Sequence, residues 1–360
     1  MPSSPPHHLL NTSWTLHRLS PLHHAKEYPS LLDNPVALKT YATRLRDQIS
    51  GSSSFSGVST GAAEDESLSR TGPLKDCTWE ILPSLSLLDD PTSNPSTYDP
   101  ESDGPGAGIA VTLEYENITY KAALLAPTSI SQDEDDASTH LPLLMTRFPN
   151  PLRQTFLSFL SANFDTYVSN LRLSSDFTCS ALEIYVGVLS QGSAGEGSRV
   201  LEDLVKELQL TVAFSSAVAP ALRSLNVNVP RASLGSFLLR SGSASDEAPR
   251  GSVLEGLSDY IRRHLAMDLD LAGKSENSAL VKQHVRVSKI ACAGFNIAGE
   301  GRLKLVGQLR AQTQQDGDEH GSAGDGDDMS PTKKLGLRAN EALLRVVVRR
   351  AATASENQAS

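Results

Sequence analysis

The chain has 360 residues, a formal net charge of −10 at pH 7 and 39% hydrophobic residues, with 25 glycines and 20 prolines. That length gives a prior of about two or three domains and enough chain for a sizeable core, so neither a disulfide nor an oligomer is needed merely to fold. The acidic balance argues against a generic nucleic-acid coat while leaving room for a local basic patch, and Cys77, Cys179 and Cys292 lie too far apart for a CxxC zinc pair or a disulfide framework.

Met1-Pro-Ser-Ser-Pro-Pro-His-His lacks the basic and apolar regions of a secretory leader, and no apolar run approaches ~18 residues, so neither secretion nor membrane spanning is expected. Trp14, Leu16 and Leu19 in a Thr- and aromatic-containing stretch predict a strand that ends at Ser20-Pro21. Asn34-Pro35 then supplies a cap and a first-turn proline for a helix carrying Leu38, Tyr41, Ala42, Leu45 and Ile49 on one face. Strands are predicted at Leu74–Leu82, Ile109–Tyr115 and Ile118–Ala126, the last two joined in a hairpin at Glu116-Asn117. Asn150-Pro151 is expected to open a second helix in the same way, with Leu152, Phe156, Phe159 and Leu160 inward.

Phe177–Leu189 fits two periods: Ala181, Leu182, Tyr185, Val188 and Leu189 suit a helix, while Ile184, Tyr185, Val186 and Val188 favour a strand; the helix is preferred. A short helix with Val200, Leu201, Leu204 and Leu208 precedes a strand at Leu210–Phe214, and the capping box Ser252-Val-Leu-Glu255 opens a helix with Leu257, Tyr260, Ile261 and Leu265. Three strands are expected to close the chain, at Gln283–Ile290, Arg302–Leu309 and Leu343–Arg349. Polar, small-residue or acidic stretches without periodicity separate these elements. One is the Asp133-Glu-Asp-Asp run, and another is Ala311–Pro331, whose six acidic residues cannot bury enough apolar surface to offset ordering entropy and predict a disordered insertion.

Clustered rather than alternating elements predict an α+β fold of mostly antiparallel sheets with helices on one side. The expected division is a tail at 1–10, an α+β lobe at 11–145, a central helical and α+β segment at 146–270, a β-sheet segment at 280–350 interrupted by 311–331, and a tail at 351–360.

The chemical motifs are weak. Gly192-Ser-Ala-Gly-Glu-Gly197-Ser198 has the glycine spacing of a phosphate loop, but that chemistry needs a Lys directly after the second Gly and the chain offers Ser198 and then Arg199. Asp103-Gly-Pro-Gly-Ala-Gly108 opens a strand, not the helix a dinucleotide loop requires. His7-His8 and His23-His24 cannot converge on one metal from one face of an element, and surface or capping roles are expected instead. The acidic runs lack the rigid, apolar setting that catalytic carboxylates need. No cofactor or metal is expected.

Two late features carry more. Basic residues dominate Lys282–Arg310 and Lys333–Arg350, and on strands Arg302 with Lys304, and Arg345 with Arg349, would each project from one sheet face towards DNA phosphates. Leu343, Leu344, Val346, Val347 and Val348 would form a terminal edge strand open to strand addition by a partner.

Trp14-Thr-Leu-His-Arg-Leu-Ser-Pro-Leu22, followed by Leu38-Lys-Thr-Tyr41 and Leu45, resembles the opening of the centromere protein L (CENP-L) family. Phe156-Leu-Ser-Phe-Leu-Ser-Ala-Asn-Phe164-Asp165 with Leu171 resembles its central helix, and Asp259–His264, Val285–Ser288 and Gly301–Leu305 resemble its C-terminal portion. The resemblance implies a non-enzymatic inner-kinetochore scaffold in the nucleus. Such a scaffold pairs with a CENP-N-type subunit through C-terminal sheet elements, with a homodimer as an open alternative, and contributes a basic surface at centromeric DNA or the CENP-A nucleosome. The rival expectation is a nucleotide-using transferase with its phosphate site at 192–198.

Overall fold

The computed structural model describes residues 9–24, 26–55, 71–82, 85, 108–127, 138–190, 205, 208–230, 233, 253–272, 283–307 and 331–356. The chain divides into two compact units, Met1–Arg172 with Gly301–Leu303 and Leu344–Ser360, and Leu173–Glu300 with Lys304–Leu343. Residues 146–172, expected in a central segment, therefore belong with the N-terminal lobe.

In the first unit the chain forms β1 (Ser13–Leu19), β2 (Leu22–His23), α1 (Pro35–Phe55), β3 (Leu74–Leu82), β4 (Gly108–Tyr115), β5 (Thr119–Leu125), β6 (Ser138–Thr139), β7 (Leu143–Arg147), α2 (Asn150–Phe164) and β8 (Val168–Asn170). The sheet order is β1-β7-β5-β4-β3, with β8 also on β1 and every pair antiparallel; β2 pairs separately with β6. Asn34 caps α1 as expected, its Oδ1 accepting the N–H of Ala37 at 3.0 Å. Asn150 does not repeat the device: Pro149 occupies the N-cap, no side chain caps α2, and Asn150 Oδ1 accepts from the Arg153 guanidinium instead at 2.7 Å.

Alternate strand residues Ile109, Val111, Leu113, Ala122, Leu124 and Leu144 share one core with Tyr41 of α1 and the phenylalanines of α2. Trp79 of β3 sits 6.1–6.4 Å from the rings of Phe156, Phe159 and Phe164, and Tyr41 lies 4.5 Å from Phe164. Each such burial stabilises by about 1.5–3 kcal/mol, which ties both helices to the sheet.

In the second unit α3 (Ser175–Ser190), β9 (Leu208–Phe214), β10 (Ser224–Val229), α4 (Val253–Leu265), β11 (Val285–Ala291) and β12 (Phe295–Ala298) follow in order. Their sheet runs β10-β9-β11-β12, also antiparallel. The ambiguous segment is helical, because Thr178, Cys179, Ala181, Leu182, Tyr185, Val186 and Leu189 bury a 3.6-period stripe. Gly294, between β11 and β12, permits close approach to that stripe: a Cβ there would lie 2.0 Å from Tyr185 Oη. Leu208 opens β9 rather than ending a helix, and most of the expected helix at 200–208 lies outside the described residues, as does Ser252 of the capping box.

The chain closes with β13 (Arg302–Leu305) and α5 (Pro331–Glu356), each with residues assigned to both units. The α+β, largely antiparallel class expected from the sequence holds, with the predicted strand at Leu343–Arg349 as the principal exception.

Candidate functional site: late-chain cations and an open strand edge

Leu343-Leu-Arg-Val-Val-Val-Arg-Arg lies inside α5 and is not a strand. Leu337, Asn340, Leu344, Val347, Val348 and Ala351 recur at three- and four-residue spacing and are all 0–1% exposed. The adjacent buried pairs, Leu343 with Leu344 and Val347 with Val348, repeat four residues apart with exposed Arg345 and Arg349 following each pair, which is the period of one helix face. Three valines cost a helix only a few tenths of a kcal/mol each, about 0.5, which burial of the stripe outweighs. Leu343, Leu344, Val347 and Val348 are thus packed inside this chain, Val346 is half-buried, and no ladder edge exists here for a partner strand. The expected interface by strand addition at this segment is corrected accordingly.

The four basic candidates keep their exposure. On β13, Arg302 and Lys304 are exposed and alternate with buried Leu303 and Leu305, so the strand presents both cations from one face. Arg345 and Arg349 are also exposed, and their spacing puts them on one helix face one turn apart. The pairing of Arg345 with Arg349 survives the change of element because four is close to a helical turn as well as even.

A strand that the sequence reading missed supplies the edge. Ser224-Leu-Asn-Val-Asn-Val229 forms β10 at the end of the second unit's sheet, paired only with β9 among the described residues. Val227 and Val229 are buried, while Asn226 and Asn228 are exposed. Their side chains are engaged on the open face of the sheet, where Asn226 Oδ1 accepts from Thr211 Oγ1 at 2.8 Å and Asn228 Oδ1 from Gln209 Nε2 at 2.9 Å. Phe214 donates its N–H to the Arg223 carbonyl at 3.0 Å, which sets the phase of the ladder. Leu225, Val227 and Val229 turn their backbone groups to β9, and Ser224, Asn226 and Asn228 turn theirs outward. The hairpin tip beside this edge exposes Val218 (57%) and Leu222 (45%). The strict polar-apolar alternation from Asn226 to Val229 is the signal that could have revealed the strand.

The edge strand of the first unit differs in kind. β3 carries charged Lys75, Asp76 and Glu80 and a register irregularity between Leu74 and Asp76, devices that discourage pairing with another chain. β10 has no charge, proline or irregularity over its six residues.

The chemical decoys resolve locally. His24 donates Nδ1–H to the Tyr28 carbonyl at 2.8 Å, and its Nε2 accepts from Thr139 Oγ1 at 2.7 Å, so the ring fastens β2 to β6. Cys77, Cys179 and Cys292 are free thiols, and burial pushes those of Cys77 and Cys292 up to about 12 and about 11. Among the described residues, no group of three His, Cys, Asp or Glu could hold a metal and no helix is long and apolar enough to cross a membrane. The glycine-rich segment 192–198 lies outside the described residues.

Comparison with protein families gives a match to the model of centromere protein L over residues 8–352, which spans both units. No curated protein sequence matches the chain.

Proposed function

The chain belongs to the CENP-L family, whose members have a centromere- and kinetochore-associated role in the nucleus, and from that premise we propose that it is a non-enzymatic subunit of the inner kinetochore that pairs with a CENP-N-type partner and holds the assembly to centromeric chromatin. The observation that carries the pairing is the open, uncharged edge of β10, with exposed Val218 and Leu222 at its hairpin. An extended partner segment can bond the outward groups of Ser224, Asn226 and Asn228, while its side chains cover the exposed apolar tip. Arg302, Lys304, Arg345 and Arg349 supply long cationic side chains suited to sequence-independent contact with DNA phosphates.

The test uses Asn226→Pro in the full-length protein. Its N–H points away from β9, so proline removes the donor a partner would use while leaving the internal ladder intact. Loss of the Thr211 contact costs about 1 kcal/mol. The variant is expected to keep its circular dichroism spectrum and lose co-purification of the CENP-N-type subunit at high salt. A folded Asn226→Pro protein that still retains that subunit places the interface elsewhere.

A further inference from the structure

On the open face of the second unit's sheet, polar side chains stand in rows across the strands. Asn226 of β10 is the register partner of Thr211 of β9, which faces Lys289 of β11, and Asn228 faces Gln209, which faces Ala291. Asn226 Oδ1 accepts from Thr211 Oγ1 at 2.8 Å and Asn228 Oδ1 from Gln209 Nε2 at 2.9 Å. Both carboxamides are thereby fixed in the same sense. The oxygen is engaged by β9, and the NH2 group lies on the other branch of the trigonal carbon. Neither nitrogen has a partner among the described residues. Beside the outward ladder groups of Ser224, Asn226 and Asn228, the edge therefore offers two side-chain donors at alternate positions.

The charge of the sheet has the matching sign. β9, β10, β11 and β12 contain no Asp or Glu, and their two charged residues are Arg286 and Lys289. Arg286 shares a cavity with Asp176 and Asp270. Lys289 forms no ion pair among the described residues and stands in the Asn226 row. With strands about 4.8 Å apart, its strand is about 10 Å from β10, close to one screening length.

We propose that the β10 edge selects a partner strand carrying Asp or Glu at two alternate positions that flank an apolar residue. The proposal rests on the pairing reading above and names the chemistry of the segment that reading requires. In an antiparallel addition, the residues opposite Asn226 and Asn228 exchange ladder bonds with them and project from the same open face, with Cα atoms about 5.5 Å away. A carboxylate at each position accepts an Asn Nδ2–H in a charge-assisted bond. The residue between them falls opposite Val227, on the face that also carries Leu225 and Val229. A strand with Lys or Arg at the two positions would set donor against donor, so the edge discriminates by the sign of the incoming side chains.

The test measures affinity of the full-length protein for the recombinant CENP-N-type subunit across a salt series. Asn226→Asp with Asn228→Asp keeps an oxygen for Thr211 and for Gln209 but replaces both outward donors with carboxylate oxygens. It should weaken association by about tenfold for each position at low salt, and the loss should shrink as salt screens the repulsion. Asn226→Lys with Asn228→Lys should bind at least as tightly as the parent, with a steeper salt dependence, and this arm stands even if the aspartate variant folds poorly. Aspartate and lysine variants that both bind like the parent, while Asn226→Pro loses the subunit, would overturn this selectivity and leave the pairing reading standing. Retention of the subunit by folded Asn226→Pro overturns both. Equal weakening by the two variants would mean a neutral amide ladder, and tighter binding by the aspartate variant a basic partner strand; either defeats the proposal.

Discussion

His17 is 1% exposed, with Nε2 3.2 Å from Thr146 Oγ1. Burial, and then the nearby Arg153 charge, lower its pKa from 6.5 to about 4, so the folded protein keeps the ring neutral. Between pH 6.5 and 4 the unfolded chain binds this proton and the folded chain does not. The stability that His17 contributes is therefore complete above pH 6.5 and is lost as the pH falls towards 4. At about 1.4 kcal/mol per pH unit the loss is on the order of 3 kcal/mol. Urea unfolding of His17→Gln should show a shallower fall in stability from pH 7 to pH 4 than the parent; equal slopes would mean that His17 protonates without cost. The alternation Trp14-Thr-Leu-His-Arg-Leu made β1 legible, with Trp14 and Leu16 as one inward face. That His17 is inward too was not legible, because it requires cover on both faces of the strand, a tertiary fact. Trp79, Phe156 and Phe159 are the opposite case, since size and apolarity alone place them in a core.

Among the elements, α5 shows how a local signal misleads. Its β-branched run Val346-Val-Val348 reads as a strand in isolation, yet Ala339, Glu341, Ala342, Ala351 and Ala352 around it are good helix formers, and Leu337, Leu344 and Ala351 are spaced by seven. The helix makes a prediction that separates it from a strand. Val347→Ala and Val348→Ala should each cost about 2 kcal/mol, from lost methyl burial and the cavity left behind, while Val346→Ala should cost clearly less. In a strand Val346 and Val348 would respond together and Val347 differently; that pattern in thermal unfolding would contradict α5. Hidden strands had other causes. In β7 the first four residues, Leu143 to Thr146, are all buried, so alternation is absent and the run carries no period of its own. In β10 the alternation exists over Asn226–Val229, but the strand is only six residues long and follows the apolar turn Ala217–Leu222, whose composition resembles neither a polar loop nor a helix.

For the whole molecule, charge and site location must be kept apart. The net charge of −10 includes four acidic residues at 133–136 and six between 316 and 328, all outside the described residues, whereas Arg302, Lys304, Arg345 and Arg349 are exposed on an ordered strand and a helix. A global acidic sum is therefore compatible with local phosphate contacts, whose strength depends on neighbouring groups within about 8–10 Å rather than on the total. The candidate site was legible in part: the late-chain cations stood out by composition, but the edge at β10 did not, since an edge is defined by which strand has no second neighbour. The family was legible from the order of short motifs beginning at Trp14 and extending to Leu305, and the match over residues 8–352 agrees with it. The central claim is that the chain works at the centromere as a kinetochore subunit, and imaging tests it most directly. The full-length protein, tagged and expressed at its native level, should form discrete nuclear foci coincident with CENP-A nucleosomes. A signal spread evenly through the cell, with no enrichment at those foci, would contradict the account.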